Sequence, residues 1–416
     1  MAWSKRKNRS VKIFLAVLMC LSLCATAGCK KEARDSRTKD GFCGEISVFD
    51  CLEGRAFCDK GMVKVENGLI MFYEYETGTS YPLCSDAYCE HIPYDSVSNP
   101  DPVCEATLAE LRMACIHGDY VYTIQQTGIQ EITIQARNLK ERGYRLVATL
   151  PYCQTYSAQG YNAIIGDKAY LLLAEIDNLQ EDVFGSSYTS NDLYTYLVEL
   201  DLKTGEYKTL FHIEDEKKYK ILQTVYTEEG IYCQWYYEDV EMSADFTEYT
   251  LHDYWDRFYY VPYDGSGAKE LCPELVALTA HRDGVQPKIR VSNIGRNGAY
   301  FTNKEMTTVE CYRYDGGQET VFELPEGYTK LYINGISGDK MIMTLVTPEE
   351  IRKTAGVDLT TGELLICENQ ENGSYIAVSD EGFWKNCNSE DGYYRELWLY
   401  EDIFFEAGKP LLSVKN

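Results

Sequence analysis

Along most of the chain, apolar and polar residues alternate in runs of five to nine, and a turn signal punctuates them every ten residues or so. Alternation at period two is the signature of strands with two distinct faces. The clearest stretch runs from Gly166 to Phe211. Gly166-Asp167 forms a turn pair, Lys168 to Glu175 is a strand-length run, and Tyr194 to Leu200 reads as a second strand. Asp201-Leu-Lys-Thr-Gly205 then predicts a tight turn, because an aspartate can cap its own backbone and glycine accepts a positive φ. Glu206 to Phe211 returns, which completes a small antiparallel meander.

Divergent copies of this unit follow one another. Openings recur at Gly68, Gly118, Gly166, Gly230, Gly298, Gly338 and Gly382, at intervals from 40 to 68 residues. Two closing hairpins, Asp201-Leu-Lys-Thr-Gly-Glu206 and Asp358-Leu-Thr-Thr-Gly-Glu363, are nearly identical. Four-stranded blades repeat at about 40 to 50 residues. The expected fold is therefore all-β, a β-propeller of six or seven blades with seven preferred. The first blade is the doubtful one, since Gly68 and Gly78 leave little room for a full strand pair. Pro410 to Val414 suits the outer strand of the last blade, with Met62 to Val65 completing the circle.

The N-terminus departs from this pattern. Lys5, Arg6, Lys7, Arg9 and Lys12 precede an almost wholly apolar run from Ile13 to Thr26, followed by Ala27-Gly28-Cys29. A cationic flank and a short apolar run make an export signal, and small residues before a cysteine resemble the lipobox of bacterial lipoproteins. Thr26 stands where an aliphatic residue is usual. The expected organisation is a signal peptide over 1–28, a tether over 29–58 that is lipidated at Cys29, and the propeller over 59–416. Its expected location is extracytoplasmic, on the cell membrane, as a monomer; an uncleaved anchor or an ordinary signal peptide are the alternatives.

Charge narrows the partners. The formal net charge is -25, and removal of the leader takes it to about -30, which opposes nucleic-acid binding. Sixteen cysteines matter more. Setting aside Cys20, Cys24 and Cys29 leaves thirteen, so they cannot all pair within one chain. Within the dense stretch, Cys84, Cys89, His91 and Cys104 carry three thiols and one imidazole, the ligand set of a closed structural zinc site. The C-x4-C-x-H-x12-C spacing is unlike the common zinc fingers. For an exported chain the favoured expectation is a disulfide from Cys104 to Cys84 or Cys89, with no cofactor; a zinc site and free thiols are the alternatives. The scattered cysteines read as buried small hydrophobes.

The lipobox-like leader, the Pro82-Leu83-Cys84 run, the Cys-Ser-Asp-x-x-Cys-x-His segment and the repeated Tyr-Asp-x-x-Gly hairpins together resemble a group of lipoproteins from gut-type Firmicutes. Those proteins are related to the TolB-like and DUF5050 β-propellers. The resemblance implies the fold and an extracytoplasmic location, and it carries over no catalytic residue.

Enzyme signatures are missing from the sequence. Gly185-Ser186-Ser187-Tyr188 lacks the second glycine of a nucleophile elbow, and there is no phosphate loop or H-E-x-x-H helix. Acidic pairs such as Asp253 and Asp256 are inevitable among 65 acids. Two long insertions are better binding candidates: the polar stretch Glu175 to Asn191, and Gln234 to Tyr260. In the second, Trp235, Tyr236, Tyr237, His252 and Trp255 lie among carboxylates, the combination a saccharide or peptide site uses. The bland reading is a long hairpin whose rings pack between blades. The expected function is a binding module for a glycan, a peptide or an envelope protein. The alternative is a secreted carbohydrate-active hydrolase or lyase with carboxylates lining the channel.

Overall fold

The computed structural model describes residues 46–366 except 51–54, 59, 75–76, 78, 110, 129, 155–160, 177–192, 214–218, 243–248 and 283. Beyond them it describes the backbone of four strands between 373 and 415.

The chain forms seven consecutive four-stranded antiparallel meanders. A leading strand β1 (Ile46–Asp50) precedes the first, which is β2 (Arg55–Cys58), β3 (Gly61–Glu66), β4 (Leu69–Glu74) and β5 (Thr79–Pro82). The second is β6 (Leu111–His117), β7 (Tyr120–Gly128), β8 (Glu131–Asn138) and β9 (Arg145–Leu150). After the short β10 (Cys153–Gln154) comes the third, β11 (Tyr161–Ile165), β12 (Lys168–Ile176), β13 (Leu193–Asp201) and β14 (Tyr207–Phe211). The fourth is β15 (Tyr219–Tyr226), β16 (Gly230–Met242), β17 (Tyr249–Pro262) and β18 (Lys269–Leu271), followed by helix α1 (Leu275–Thr279) and β19 (His281–Arg282). The fifth is β20 (Val291–Ile294), β21 (Gly298–Thr302), β22 (Thr308–Arg313) and β23 (Gln318–Glu323). The sixth is β24 (Lys330–Ser337), β25 (Lys340–Val346), β26 (Arg352–Asp358) and β27 (Leu364–Ile366). The seventh is β28 (Gly373–Val378), β29 (Gly382–Ser389), β30 (Gly392–Leu399) and β31 (Leu412–Lys415).

These meanders are the blades of an all-β propeller, and the alternation of the strands shows how they stack. On β12, Ala169, Leu171 and Leu173 join a core shared with the first two blades, whereas Tyr170 and Leu172 face the fourth. Phe258 and Leu271 of the fourth blade meet Ile294 and Ala299 of the fifth. Tyr300, one residue on, meets Leu331 and Met341 of the sixth. Among the described residues, the third and fifth blades thus bury both faces of their sheets against neighbouring blades. Full burial of one such Leu or Phe contributes about 1.5–3 kcal/mol.

Three expectations need correction. The doubtful first blade is complete, because β2 and β3 supply the strands that the short span from Gly68 to Gly78 could not. Met62 to Val65 lies in β3 and is paired on both edges, with β2 and with β4, so it cannot close the ring. Of the stretch from Pro410 to Val414, residues 410 and 411 lie outside the described residues, and Leu412 to Val414 fall in β31, which pairs with β30 as the outer strand expected there. The boundary at 59 is also late. β1 pairs with β11 over five residues and joins the first and third blades into one ten-stranded sheet, and Phe49 and Ala56 are buried in the core.

The repeated hairpins share their chemistry as well as their sequence. Asp201 Oδ1 accepts from the N–H groups of Lys203 and Thr204, both at 2.9 Å. Asp358 Oδ1 does the same for Thr360 at 2.9 Å and Thr361 at 3.0 Å. Gly205 and Gly362 follow at φ 77° and 73°. No helix among the described residues is long and apolar enough to cross a membrane.

Candidate metal centre

The connection from β5 to β6, residues 83–110, holds the cysteine-histidine segment. Leu83 is buried, and its N–H bonds the carbonyl of Ile70 at 2.8 Å, which fixes the chain just before Cys84. A turn at Asp86, whose Oδ1 accepts from Tyr88 N–H at 2.9 Å and whose carbonyl accepts from Cys89 N–H at 3.2 Å, folds Cys89 back beside Cys84. His91 adopts a left-handed φ of 53°, and its N–H points at Cys89 Sγ, 3.4 Å away. An Asp95 turn that binds the N–H groups of Val97 and Ser98 at 3.0 and 2.6 Å reverses the chain again. Cys104 is thereby returned, buried, to the same point.

The ligand atoms of Cys84, Cys89, His91 and Cys104 all lie within 4.8 Å of one another. Cys104 Sγ is 3.6 Å from His91 Nδ1. All three cysteines are free thiols, so the expected disulfide from Cys104 is not formed in this structure. Burial pushes the Cys104 thiol up to about 12, with the sulfurs of Cys89 and Cys84 adding to the effect and a bond from the Ala106 backbone opposing it.

Residues flanking the ligands are clamped to the second blade. Arg137 of β8, fully buried, donates to the Leu83 carbonyl at 2.6 Å and stands 3.5 Å from Glu105. Glu105 Oε2 in turn accepts from Ser85 N–H at 3.0 Å and from Ser85 Oγ at 2.6 Å. Tyr144 donates its hydroxyl proton to the Glu105 carbonyl at 2.8 Å. This buried clamp had no signal in the spacing of the sequence: Arg137 is 33 residues beyond Cys104 and on another blade.

Among the described residues, the scattered cysteines are buried, as expected. Cys115, Cys153, Cys233, Cys272 and Cys311 are buried free thiols, and burial raises Cys153 to about 11. Cys58 is disulfide-bonded. Cys29, the leader and most of the insertion from Glu175 to Asn191 lie outside the described residues.

The aromatic insertion is largely a structural hairpin. β16 and β17 pair from Gly230↔Pro262 out to Met242↔Tyr249, well beyond the reach of their neighbours. Trp235 is completely buried and belongs to the core between the third and fourth blades. Tyr237 and Trp255 are cross-strand partners stacked at 3.9 Å and 9°. The Arg282 guanidinium lies 4.6 Å from the centroid of the Trp255 ring, so this half-buried indole is engaged by both Tyr237 and Arg282. Tyr236 tilts against Tyr254 at 5.8 Å. His252 is exposed on the outer part of the hairpin, 3.1 Å from Glu241 on the facing strand. Asp256 is buried below it, accepts from the Tyr254 hydroxyl at 2.7 Å, and is pushed up to about 6 by that burial.

Fold and site together define an all-β propeller with a convergent Cys3His group on the connection between its first two blades. No protein-family model matches the chain, and no curated protein matches it. Among solved structures it is similar to the β-propeller domain of the Trilobed protease from Pyrococcus furiosus, at 10% identity and a TM-score of 0.44 over 91% of this chain and 98% of that one. It is also similar to TolB from Acinetobacter baumannii, at 12% identity and a TM-score of 0.32 over 71% of this chain and 66% of that one. A third similarity is to an acylaminoacyl peptidase in complex with a chloromethyl ketone, at 12% identity and a TM-score of 0.42; the chain spans 44% of that peptidase and 69% of itself is covered. These likenesses carry no argument about chemistry.

Proposed function

We propose that this chain is an exported, lipid-anchored propeller that acts as a binding module for a peptide or an envelope protein. The anchoring rests on the basic flank, the apolar run to Thr26 and Ala27-Gly28-Cys29. The observation that carries the binding reading is a reversal of expectation. The rings of the long hairpin, which suited a glycan, are committed to one another and to Arg282. In contrast, Tyr88, Ile92, Val97 and Val103 all expose large apolar side chains on the single connection that holds the Cys3His group. Functional loops sit on rigid scaffolds in this way, and apolar side chains held in water favour a protein surface over a sugar.

Expression of the full chain in a bacterial host that is fed an alkyne-bearing fatty acid tests the anchor. Wild type is expected to be labelled and recovered with membranes, and Cys29→Ser to be unlabelled; an unlabelled wild type overturns the anchoring. A photocrosslinking residue at position 88 is expected to trap discrete envelope proteins, whereas one at exposed Val285, on the fourth blade's return loop, is not. Equal trapping at both positions overturns the binding surface.

A further inference from the structure

We propose that Cys84, Cys89, His91 and Cys104 bind one zinc ion as a closed structural centre that staples the connection between the first and second blades. Such a centre is independent of what the propeller binds.

Geometry comes first. Zinc bonds thiolate sulfur at about 2.3 Å and imidazole nitrogen at about 2.0–2.1 Å, in a tetrahedron. A tetrahedral angle then separates a sulfur from the nitrogen by about 3.6 Å and two sulfurs by about 3.8 Å. The observed separation of Cys104 Sγ from His91 Nδ1 is 3.6 Å, and no pair in the group exceeds 4.8 Å. A disulfide instead needs two sulfurs at about 2.05 Å, and all three thiols are free.

The backbone supplies a second observation. A residue with a β-carbon adopts the left-handed region at a cost of about 1–2 kcal/mol. His91 does so at φ 53°, and the result is an imidazole beside the sulfurs and an N–H group directed at Cys89 Sγ. An N–H···S bond favours the thiolate, the form that ligates metal. The loop itself also calls for a staple. Between Leu83 and Ala109 the only sheet-like pairing described is the Asp95↔Asn99 bridge. Leu83, Cys104 and Ala106 are buried at its two ends, but no residue from Cys84 to Val103 is, and Tyr88 and Val97 are 97% and 89% exposed, so apolar burial does not hold the span between them. Loops this long are seldom ordered without a constraint of their own.

The donor set selects the ion. Three soft sulfurs and an imidazole suit zinc and not calcium or magnesium, which take oxygen. On binding, each thiol gives up its proton, so three protons leave as three Zn–S bonds and one Zn–N bond form, and the centre carries a net charge of -1. Four protein ligands leave no open position, which makes the centre structural rather than catalytic.

The test measures metal in the full chain, purified without reductant or chelator, by elemental mass spectrometry. About one zinc per chain is expected, with a loss of more than ten-fold in His91→Ala and Cys104→Ser. Because those variants can fail to fold, two further measurements are needed. Cobalt loading of the wild type is expected to give the visible bands of a tetrahedral thiolate site, and His91→Cys is expected to keep the metal while shifting those bands toward a four-sulfur spectrum. Peptide mapping under non-reducing conditions is expected to find Cys84, Cys89 and Cys104 unlinked and protected from alkylation until a chelator is added. A wild type that takes up neither zinc nor cobalt, or a Cys104 linked to Cys84 or Cys89, overturns the proposal.

Discussion

The buried guanidinium of Arg137 donates from Nη2 to the carbonyl of Leu83 at 2.6 Å, across the boundary between two blades and one residue before Cys84. The same side chain faces Glu105, one residue after Cys104. One cation on β8 therefore sets the positions of two of the four convergent ligands. Removing one partner of a buried ion pair leaves the other charge uncompensated and costs about 3–5 kcal/mol. Arg137→Met is expected to lower the unfolding free energy by about that amount, measured by urea denaturation. The variant should also weaken zinc binding by roughly 10–100-fold, the usual effect of losing an outer-shell partner. Arg142→Met, which removes the exposed pair with Asp86 at 3.0 Å, should change stability by less than about 1 kcal/mol.

The two matching hairpins separate backbone strain from steric clash. Gly205 and Gly362 both have positive φ, so alanine at either is expected to cost on the order of 1 kcal/mol. They differ in their surroundings. A β-carbon at Gly205 would stand 2.3 Å from the Val147 carbonyl oxygen of the second blade, while one at Gly362 would meet nothing within 4 Å. Gly205→Ala should therefore destabilise the protein clearly more than Gly362→Ala. Equal thermal shifts for the two variants would show that the contact with Val147 does not constrain the turn.

Much of this was legible before any coordinates, for physical reasons that differ by feature. Asp201 and Gly205 announce their turn because the capping oxygen and the positive φ are properties of single residues. Long-range pairing has no such local mark. Ile46-Ser-Val-Phe-Asp50 already alternates, yet nothing in it names β11 as its partner. Register shifts recur in the first strand of five blades, at Leu111/Met113, Ile221/Gln223, Val291/Asn293, Ile333/Gly335 and Tyr375/Ala377. No shared residue type marks them. The cysteines and His91 were visible as donors, but whether they converge depends on turns at Asp86 and Asp95 and on a clamp from β8. Trp235 and Trp255 looked equivalent in sequence. Only the stacking of blades buries the first completely and leaves the second half-covered.

That difference yields a prediction about the long hairpin. Trp235 is fully buried, with Phe211 of the third blade edge-on at 5.4 Å. Trp235→Ala opens a cavity between blades and is expected to cost about 3–5 kcal/mol. Trp255 is half-buried, packed on Tyr237 and bonded through Nε1 to the Tyr219 hydroxyl at 2.9 Å. Trp255→Phe keeps the stack and loses that bond, at an expected cost of about 0.5–1.5 kcal/mol. Chemical denaturation of the two variants orders them. A larger loss for Trp255→Phe would mean that the outer hairpin, and not the interface beneath it, limits stability.

Asp256 makes stability depend on pH in the direction opposite to most carboxylates. Burial pushes its folded-state value up to about 6, against the bond from Tyr254, while the unfolded chain should show about 3.9. Below the unfolded value the group is protonated in both states and burial carries no charge penalty. As pH rises through the window from about 4 to about 6, the unfolded chain loses its proton first, and stability falls. Above that window the penalty is complete, on the order of 3 kcal/mol. Asp256→Asn removes the titration and retains an acceptor for the Tyr254 hydroxyl. The stability of wild type relative to Asp256→Asn is therefore expected to decrease between pH 4.5 and pH 7.5, measured as urea midpoints at both values. A difference that stays constant across that range would show that burial does not raise the Asp256 carboxyl.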